Sequence, residues 1–222
     1  MDDVEQARQY AEADFAASDQ AFVAAILASL SEAQMVPRRI LDLGCGPGNI
    51  SFPLAAALPG TPLLAIDGAL AMVRLARERQ RSQPETAEAL HVHQARLPLT
   101  ASAFEGLPAA LQPPFDLLVS NSLLHHLQDP AALWSSLRLL GAPGALVLIR
   151  DLRRPHDRAG QESLVQRYAG QAPDLLRRDF RHSLAAAYRP AEVEAQLARA
   201  GLEGLRVEAR DDRYLDVSGL LP

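Results

Sequence analysis

The chain contains no lysine; all 22 of its basic residues are arginines. A P-loop needs a lysine at the phosphates, and a pyridoxal phosphate enzyme needs one for its Schiff base, so both chemistries are excluded. Cysteine is nearly absent as well. Cys45 stands alone, so no internal disulfide forms, and the six histidines show no H-E-x-x-H spacing. No zinc site and no other metal site is expected. A single cysteine fits a reducing compartment. No apolar run approaches the ~20 residues of a membrane span. The acidic start, Met1-Asp2-Asp3-Val4-Glu5, lacks a signal-peptide pattern. Together these features predict a cytoplasmic protein without a membrane partner. The net charge is −5, which gives no global surface for a polyphosphate, so nucleic acid is not the expected partner.

The 222 residues, 48% of them hydrophobic, suffice for one α/β domain with a sizeable core. Residues 3 to 30 read as one or two amphipathic helices, with Phe15, Phe22, Val23, Ile26 and Leu30 near helical spacing. Residues 1–36 are expected to form an N-terminal helical cap, and 37–222 the main domain. Short apolar runs then alternate with helical stretches. Strands are expected at about 39–43, 62–67, 89–94, 115–120 and 145–149, with Gly141-Ala142-Pro143-Gly144 as a turn. Helices are expected after Gly48, over 69–81 and over 130–140, and a short one within 98–114. This alternation is the pattern of a parallel sheet covered by helices on both faces. After the fifth strand the pattern breaks. Residues 155–188 read as a helical insertion interrupted by Gly170 and Pro173. A helix over 190–200 ends at Gly201. Leu205–Ala209 and Tyr214–Val217 flank a charged turn and read as an antiparallel hairpin.

The most informative segment is Ile40-Leu41-Asp42-Leu43-Gly44-Cys45-Gly46-Pro47-Gly48-Asn49. An apolar run ends in an acid, and three glycines follow at alternate positions. The spacing is G-x-G-x-G, not the dinucleotide G-x-G-x-x-G. A carboxylate just before the turn is out of place beside a pyrophosphate. It suits a ligand carrying an ammonium and a sulfonium. Asp67 ends the second strand about 20 residues later, the offset at which an acid meets a ribose in doubly wound folds. The competing reading of Asp67 is the N-cap of the following helix.

The glycine segment resembles motif I of the class I S-adenosylmethionine-dependent methyltransferases, and the resemblance covers roughly residues 38–219. It implies a Rossmann-like, doubly wound, mostly parallel seven-stranded sheet with a C-terminal hairpin. It implies S-adenosyl-L-methionine as cofactor and a small-molecule acceptor. The cofactor-binding candidates are Asp42, Gly44, Cys45, Gly46, Gly48, Asp67, Gly68, Gln94, Ala95, Arg96 and Asn121. Phe115-Asp116-Leu117-Leu118-Val119-Ser120-Asn121 resembles the family's fourth motif, with Asp116 structural and Asn121 at the ligand end. The following Leu124-His125-His126-Leu127 is similar to the family's small-molecule branch, and the N-P-P-[YF] tetrapeptide of amine-methylating enzymes is absent. Where many relatives carry an acid after the third strand, this chain has His93-Gln94-Ala95-Arg96-Leu97-Pro98, so no adenine reader is assigned.

His125 and His126 are the catalytic candidates, because a hydroxyl or thiol acceptor must lose a proton. Adjacent residues on a helix point about 100° apart, so at most one of the two faces the acceptor; the competing reading is that one caps or packs and the other is solvated. Arginines concentrate after the fifth strand. A solvated face is one reading; an anionic acceptor held by Arg150, Arg153 or Arg154 is the other. Three further readings stand beside a small-molecule methyltransferase: an RNA-base methyltransferase, a SAM-binding regulator without chemistry of its own, and, at a distance, a nicotinamide oxidoreductase. A homo-oligomer is compatible with the sequence, which does not name the acceptor.

Overall fold

A computed structural model of the chain describes residues 4–12, 15–83 and 88–222. The helices are α1 (Val4–Glu12), α2 (Ala16–Glu32), α3 (Ser51–Ala57), α4 (Leu70–Ser82), α5 (Ala131–Leu140), α6 (Arg158–Ala169), α7 (Asp174–Ala186) and α8 (Pro190–Arg199). The strands are β1 (Ile40–Leu43), β2 (Leu63–Asp67), β3 (Leu90–Gln94), β4 (Phe115–Asn121), β5 (Gly141–Leu152), β6 (Arg206–Ala209) and β7 (Tyr214–Leu220). They form one seven-stranded sheet in the order β3-β2-β1-β4-β5-β7-β6. The first five strands run parallel; β7 is antiparallel to both β5 and β6. The expected α/β sheet with a closing hairpin is therefore present.

The strand residues explain the two layers of helices. Side chains alternate across a strand with period two. Leu41, Leu43, Leu64, Ile66, Leu118, Val147 and Ile149 pack on one face, with Trp134 of α5 and Val193 and Leu197 of α8. Ile40, Leu63, Ala65, Leu117, Val119, Leu146 and Leu148 pack on the other, with Phe22 and Ile26 of α2, Phe52 of α3 and Val73 of α4. Both faces are dry, which is why these strands read as unbroken apolar runs. The α2 helix thus belongs to the core of the sheet. A smaller cluster joins α6 and α7 to the sheet through Leu152, Leu164, Leu184 and Tyr214.

Three local expectations change. The turn expected at 141–144 lies inside β5, which continues to Leu152. Gly141 pairs with Phe115, and the antiparallel partner β7 carries the pairing on to Leu152–Tyr214. The proline-rich stretch before β4 holds two 3-10 turns, Ala101–Phe104 and Ala109–Leu111, each burying one apolar side chain. The two histidines sit on a 3-10 turn, Leu124–His126, rather than on an α-helix.

The parallel strands share a direction, so their carboxyl ends lie along one edge, where ligands bind in open α/β sheets. Asp42, Asp67 and Asn121 fall at or next to these ends. Asp116 lies at the opposite end of β4 and accepts hydrogen bonds from the backbone N–H groups of Arg38 and Arg39 at 3.0 and 3.1 Å.

Trp134 is the largest fully buried side chain, and its indole N–H donates to Gln196 Oε1 at 3.0 Å. Replacing Gln196 with leucine strands that donor, which costs about 1–3 kcal/mol. Urea denaturation of Gln196→Leu should show that loss; an unchanged midpoint would contradict the packing described.

Candidate functional site

The glycine turn is held to the second strand by its backbone. Gly44 N and Cys45 N both donate to Ile66 O, at 2.8 and 3.0 Å. Asp67 then fixes the turn from the side. Its Oδ2 accepts from Gly46 N at 2.9 Å and its Oδ1 from Ala69 N at 2.8 Å. Residue 69, not 67, caps α4. The Asp67 carboxylate thus spans two loops rather than serving as a plain N-cap. Gly46 has φ +53, and a Cβ there would meet nothing within 4 Å, because that face of the turn is open to a cleft. Gly48 has φ +88 and faces the other way; a Cβ would lie 2.4 Å from the Phe52 ring.

That cleft has a volume of about 290 Å³. Asp42, Gly44, Cys45, Gly46, Asp67, Gly68 and Asn121 line it, joined by Asn49, Met72 and Leu123. The structure thus brings seven of the expected cofactor residues together. Gly48, Gln94, Ala95 and Arg96 are not in the lining. Gly48 makes room for Phe52. Ala95 N donates to Asp67 O at 3.1 Å, and Arg96 Nε to Gly68 O at 3.3 Å, so both brace the loop behind the cleft.

The cleft floor is electrostatically tense. Asp42 is 1% exposed and accepts from Ser51 Oγ at 2.5 Å. Burial pushes its carboxyl up to about 7; the Ser51 hydroxyl opposes the shift and the nearby Asp67 charge adds to it. Burial likewise pushes the Cys45 thiol up, so it is no nucleophile.

A second cavity, of about 400 Å³, opens beside the first. Its apolar wall includes Phe15, Leu152, Leu176 and Phe180. Its polar lining includes Asp19, His125, Asp179 and Arg213. Tyr10, Asn121, Ser122 and His126 line both cavities and so mark where they meet. Ser122 holds φ +58 at this junction, an uncommon backbone state for a residue with a side chain.

The two histidines differ sharply. His125 is buried, and its Nδ1 lies 2.6 Å from Asp151 Oδ1. Asp151 also accepts from the backbone N–H groups of Leu124 and Leu152, at 2.6 and 2.7 Å. A carboxylate so placed commits the Nδ1 proton and leaves Nε2 as the acceptor. His126 faces the open junction with its ring centroid 4.0 Å from that of His125. Crowding by protein atoms and the adjacent His125 depress its pKa to about 4, so it is neutral at pH 7.

The three arginines expected at the acceptor are engaged elsewhere. Arg150 is 3% exposed and forms a two-pronged bond with Asp216, both contacts at 2.7 Å. Arg153 donates to Asp211 O at 2.7 Å, and Arg154 pairs with Glu192. None of them lines either cavity. Arg167, Arg177, Arg178 and Arg181 pair with Asp212, Asp174, Asp179 and Glu162. Six of these arginines are paired with carboxylates, which weakens the support for an RNA-binding face.

Besides Asp151, Asp19 and Arg213 enter the site without having been candidates from the sequence. Asp19 of α2 is 8% exposed, accepts from Asn121 Nδ2 at 3.4 Å, and has its carboxyl pushed up to about 6 by burial. Its signal was present: it lies on the same helical stripe as Phe15, Phe22, Val23 and Ile26. Arg213 sits in a run of four charges that reads as a solvated turn, so nothing in the sequence marks it.

Residues 15–207 match the Methyltransferase domain family. The chain belongs to that family. It is 32% identical over 147 residues to a trans-aconitate 2-methyltransferase of Methylobacterium nodulans, a match spanning 64% of this chain and 48% of the relative. It is 30% identical over 183 residues to a trans-aconitate 2-methyltransferase of Mycolicibacterium gilvum, spanning 81% and 62%. The matches thus cover about half to three-fifths of these relatives' lengths. Among solved structures, the plantazolicin methyltransferase BamL, determined with a triazolic desmethylPZN analogue and SAH, superposes with a TM-score of 0.71 at 12% identity. That match spans 96% of this chain and 88% of BamL, and it shows a shared fold. Among the described residues, no group of three or more His, Cys, Asp or Glu side chains is placed to hold a metal ion. No described helix is long and apolar enough to cross a membrane.

The raised pKa values fix a pH dependence. Asp42 and Asp19 bind protons more tightly folded than unfolded, so their contribution to stability is present below about pH 4 and is lost as pH rises through about 6 to 7. Asp42→Asn, which retains an acceptor for Ser51, should flatten that decline. Urea midpoints at pH 5 and 7.5 check it; an identical decline in both proteins would contradict the burial argument.

Proposed function

We propose that the protein transfers a methyl group from S-adenosyl-L-methionine to a small-molecule acceptor and releases S-adenosylhomocysteine, acting in the cytoplasm. One observation carries this reading: the family's cofactor cleft and an apolar cavity meet at Tyr10, Asn121, Ser122 and His126.

The residues fit the cofactor. The open face at Gly46 admits a ligand against backbone. Asp67 stands where two vicinal hydroxyls of a ribose can donate to a carboxylate. Asp42 offers negative charge to an ammonium, and a bound cation draws its carboxyl toward ionisation. When bound, the sulfonium supplies an electrophilic methyl group. The protein's own part is to align the acceptor, exclude water and take up a proton. Alignment alone can lower the barrier by several kcal/mol. The roof over the cavity comes from Tyr10 of α1, Phe15 just before α2, Tyr168 of α6 and Phe180 of α7.

His125 is the base in this scheme. Its Nε2 accepts the acceptor's proton, while Asp151 holds the ring and stabilises the imidazolium that results. His126, with its depressed pKa, remains neutral and orients the acceptor at the junction. A neutral residue there avoids repulsion of the sulfonium.

Calorimetry with the intact chain tests the reading. S-adenosylhomocysteine should bind and NAD should not; NAD binding more tightly would overturn it. Methyl transfer from labelled S-adenosylmethionine should then be measured over a panel of small molecules headed by trans-aconitate, the acceptor named for two relatives. With any acceptor that turns over, Asp151→Asn should lower the rate by about 10²–10⁴ and leave S-adenosylhomocysteine affinity within about twofold. A rate unchanged by that substitution would remove His125 from the chemistry.

A further inference from the structure

Arg213 is the guanidinium among the side chains lining the larger cavity, whereas Arg153, whose Nε is likewise buried without a hydrogen-bond partner, lines neither cavity. Its Cζ lies 3.9 Å from the centroid of the Tyr168 ring and 4.6 Å from that of Tyr214. Its Nε is buried and has no hydrogen-bond partner. Among the described residues no carboxylate comes within 4.0 Å of it. The two acids beside it in sequence are committed elsewhere. Asp212 holds Arg167 and accepts from the Tyr168 hydroxyl at 2.7 Å. Asp211 Oδ1 accepts from the backbone N–H groups of Arg213 and Tyr214, at 2.9 and 2.7 Å.

A buried guanidinium donor without an acceptor is costly, and where it borders an open cavity, as at Arg213, an arriving acceptor can satisfy it. Two aromatic rings pack against the cation and shield part of it from water. What such a fork recognises best is a carboxylate, bound through two parallel N–H···O contacts.

We propose that Arg213, clamped between Tyr168 and Tyr214, binds a carboxylate of the acceptor, so the substrate class is a small organic acid with an apolar body. This rests on the methyl-transfer reading. Arg213 does not line the cofactor cleft, so its charge is set apart from the sulfonium, and the carboxylate it holds is a handle rather than the methylated atom. Two acids also line the cavity. Asp19 is drawn toward Asn121, and Asp179 lies beside Arg178 at 3.3 Å. Phe15, Leu176 and Phe180 offer the apolar surface for the body of the ligand.

The test uses the full chain saturated with S-adenosylhomocysteine. Acid and amide pairs of equal shape serve as probes: hexanoate with hexanamide, benzoate with benzamide, and trans-cinnamate with cinnamamide. Calorimetry at pH 7.5 should show the acid binding at least tenfold more tightly than its amide in one or more pairs. Arg213→Met should abolish that preference, and Arg213→Lys should keep only part of it. Both variants should bind S-adenosylhomocysteine as the wild type does, which confirms that they fold. Amides binding as well as acids, no acid binding, or a preference that survives Arg213→Met each overturns the proposal. If S-adenosylhomocysteine itself fails to bind the wild-type chain, the methyl-transfer reading falls and takes this one with it. If it binds and the acids show no preference, only the Arg213 assignment falls.

Discussion

One carboxylate organises the cofactor side of this molecule. Asp67 ends a buried strand and accepts from Gly46 N and Ala69 N, two backbone donors on different loops. The glycine turn is thereby pinned against β2, and the entry to α4 is pinned beside it. Hydrogen bonds to an ionised acceptor contribute roughly 1.5–3 kcal/mol each. With Gly44 and Cys45 already bonded to Ile66 O, the turn has little freedom left. It meets a ligand as a preformed surface, so less ordering entropy is lost on binding. The sheet makes this arrangement possible, because parallel strands deliver their last residues to the same edge.

The larger cavity is built on different principles. Its walls come from helices at both ends of the chain, and its fixed points are ion pairs between distant segments. Arg150 to Asp216 locks β5 to β7 beneath the cavity, with the Phe22 ring 4.9 Å from the guanidinium. Arg154 to Glu192 ties the segment after β5 to α8. Such pairs contribute modestly when exposed, but breaking a buried one is costly because it leaves a lone charge. Arg150 is of the buried kind. It is a structural post under the site, which explains why it is not free to meet a ligand. Asp151, the next residue, turns the opposite way and orients His125. Alternation along one strand thus separates the charge that holds Asp216 from the one that meets His125.

Much of the fold was legible because it rests on local rules. Period-two burial on both faces marks the sheet, and glycines at alternate positions mark the turn. The offset of Asp67 placed it at the end of β2, where it lines the cleft. The two cavities were not readable as such, because they depend on pairings far apart in sequence. His125 meets Asp151 across 26 positions, and Arg150 meets Asp216 across 66. An arginine count shows the supply of charge but not which charges are already spent on partners. Arg213 illustrates the reverse error: it sits in a turn rich in charge, and only packing against Tyr168 reveals that it faces inward. Asp19 falls between the two cases, since an acid on an apolar helical stripe is a signal that sequence reading can learn to weigh.

The proposed function requires the cleft over Gly46 and the cavity at His125 to be two halves of one reaction site. A crystal structure of the chain grown with S-adenosylhomocysteine tests this most directly. The account predicts ribose hydroxyls within hydrogen-bonding distance of Asp67 and the ligand sulfur at the junction of Asn121, Ser122 and His126, facing the larger cavity. A ligand bound elsewhere, or a sulfur turned away from that cavity, would contradict it.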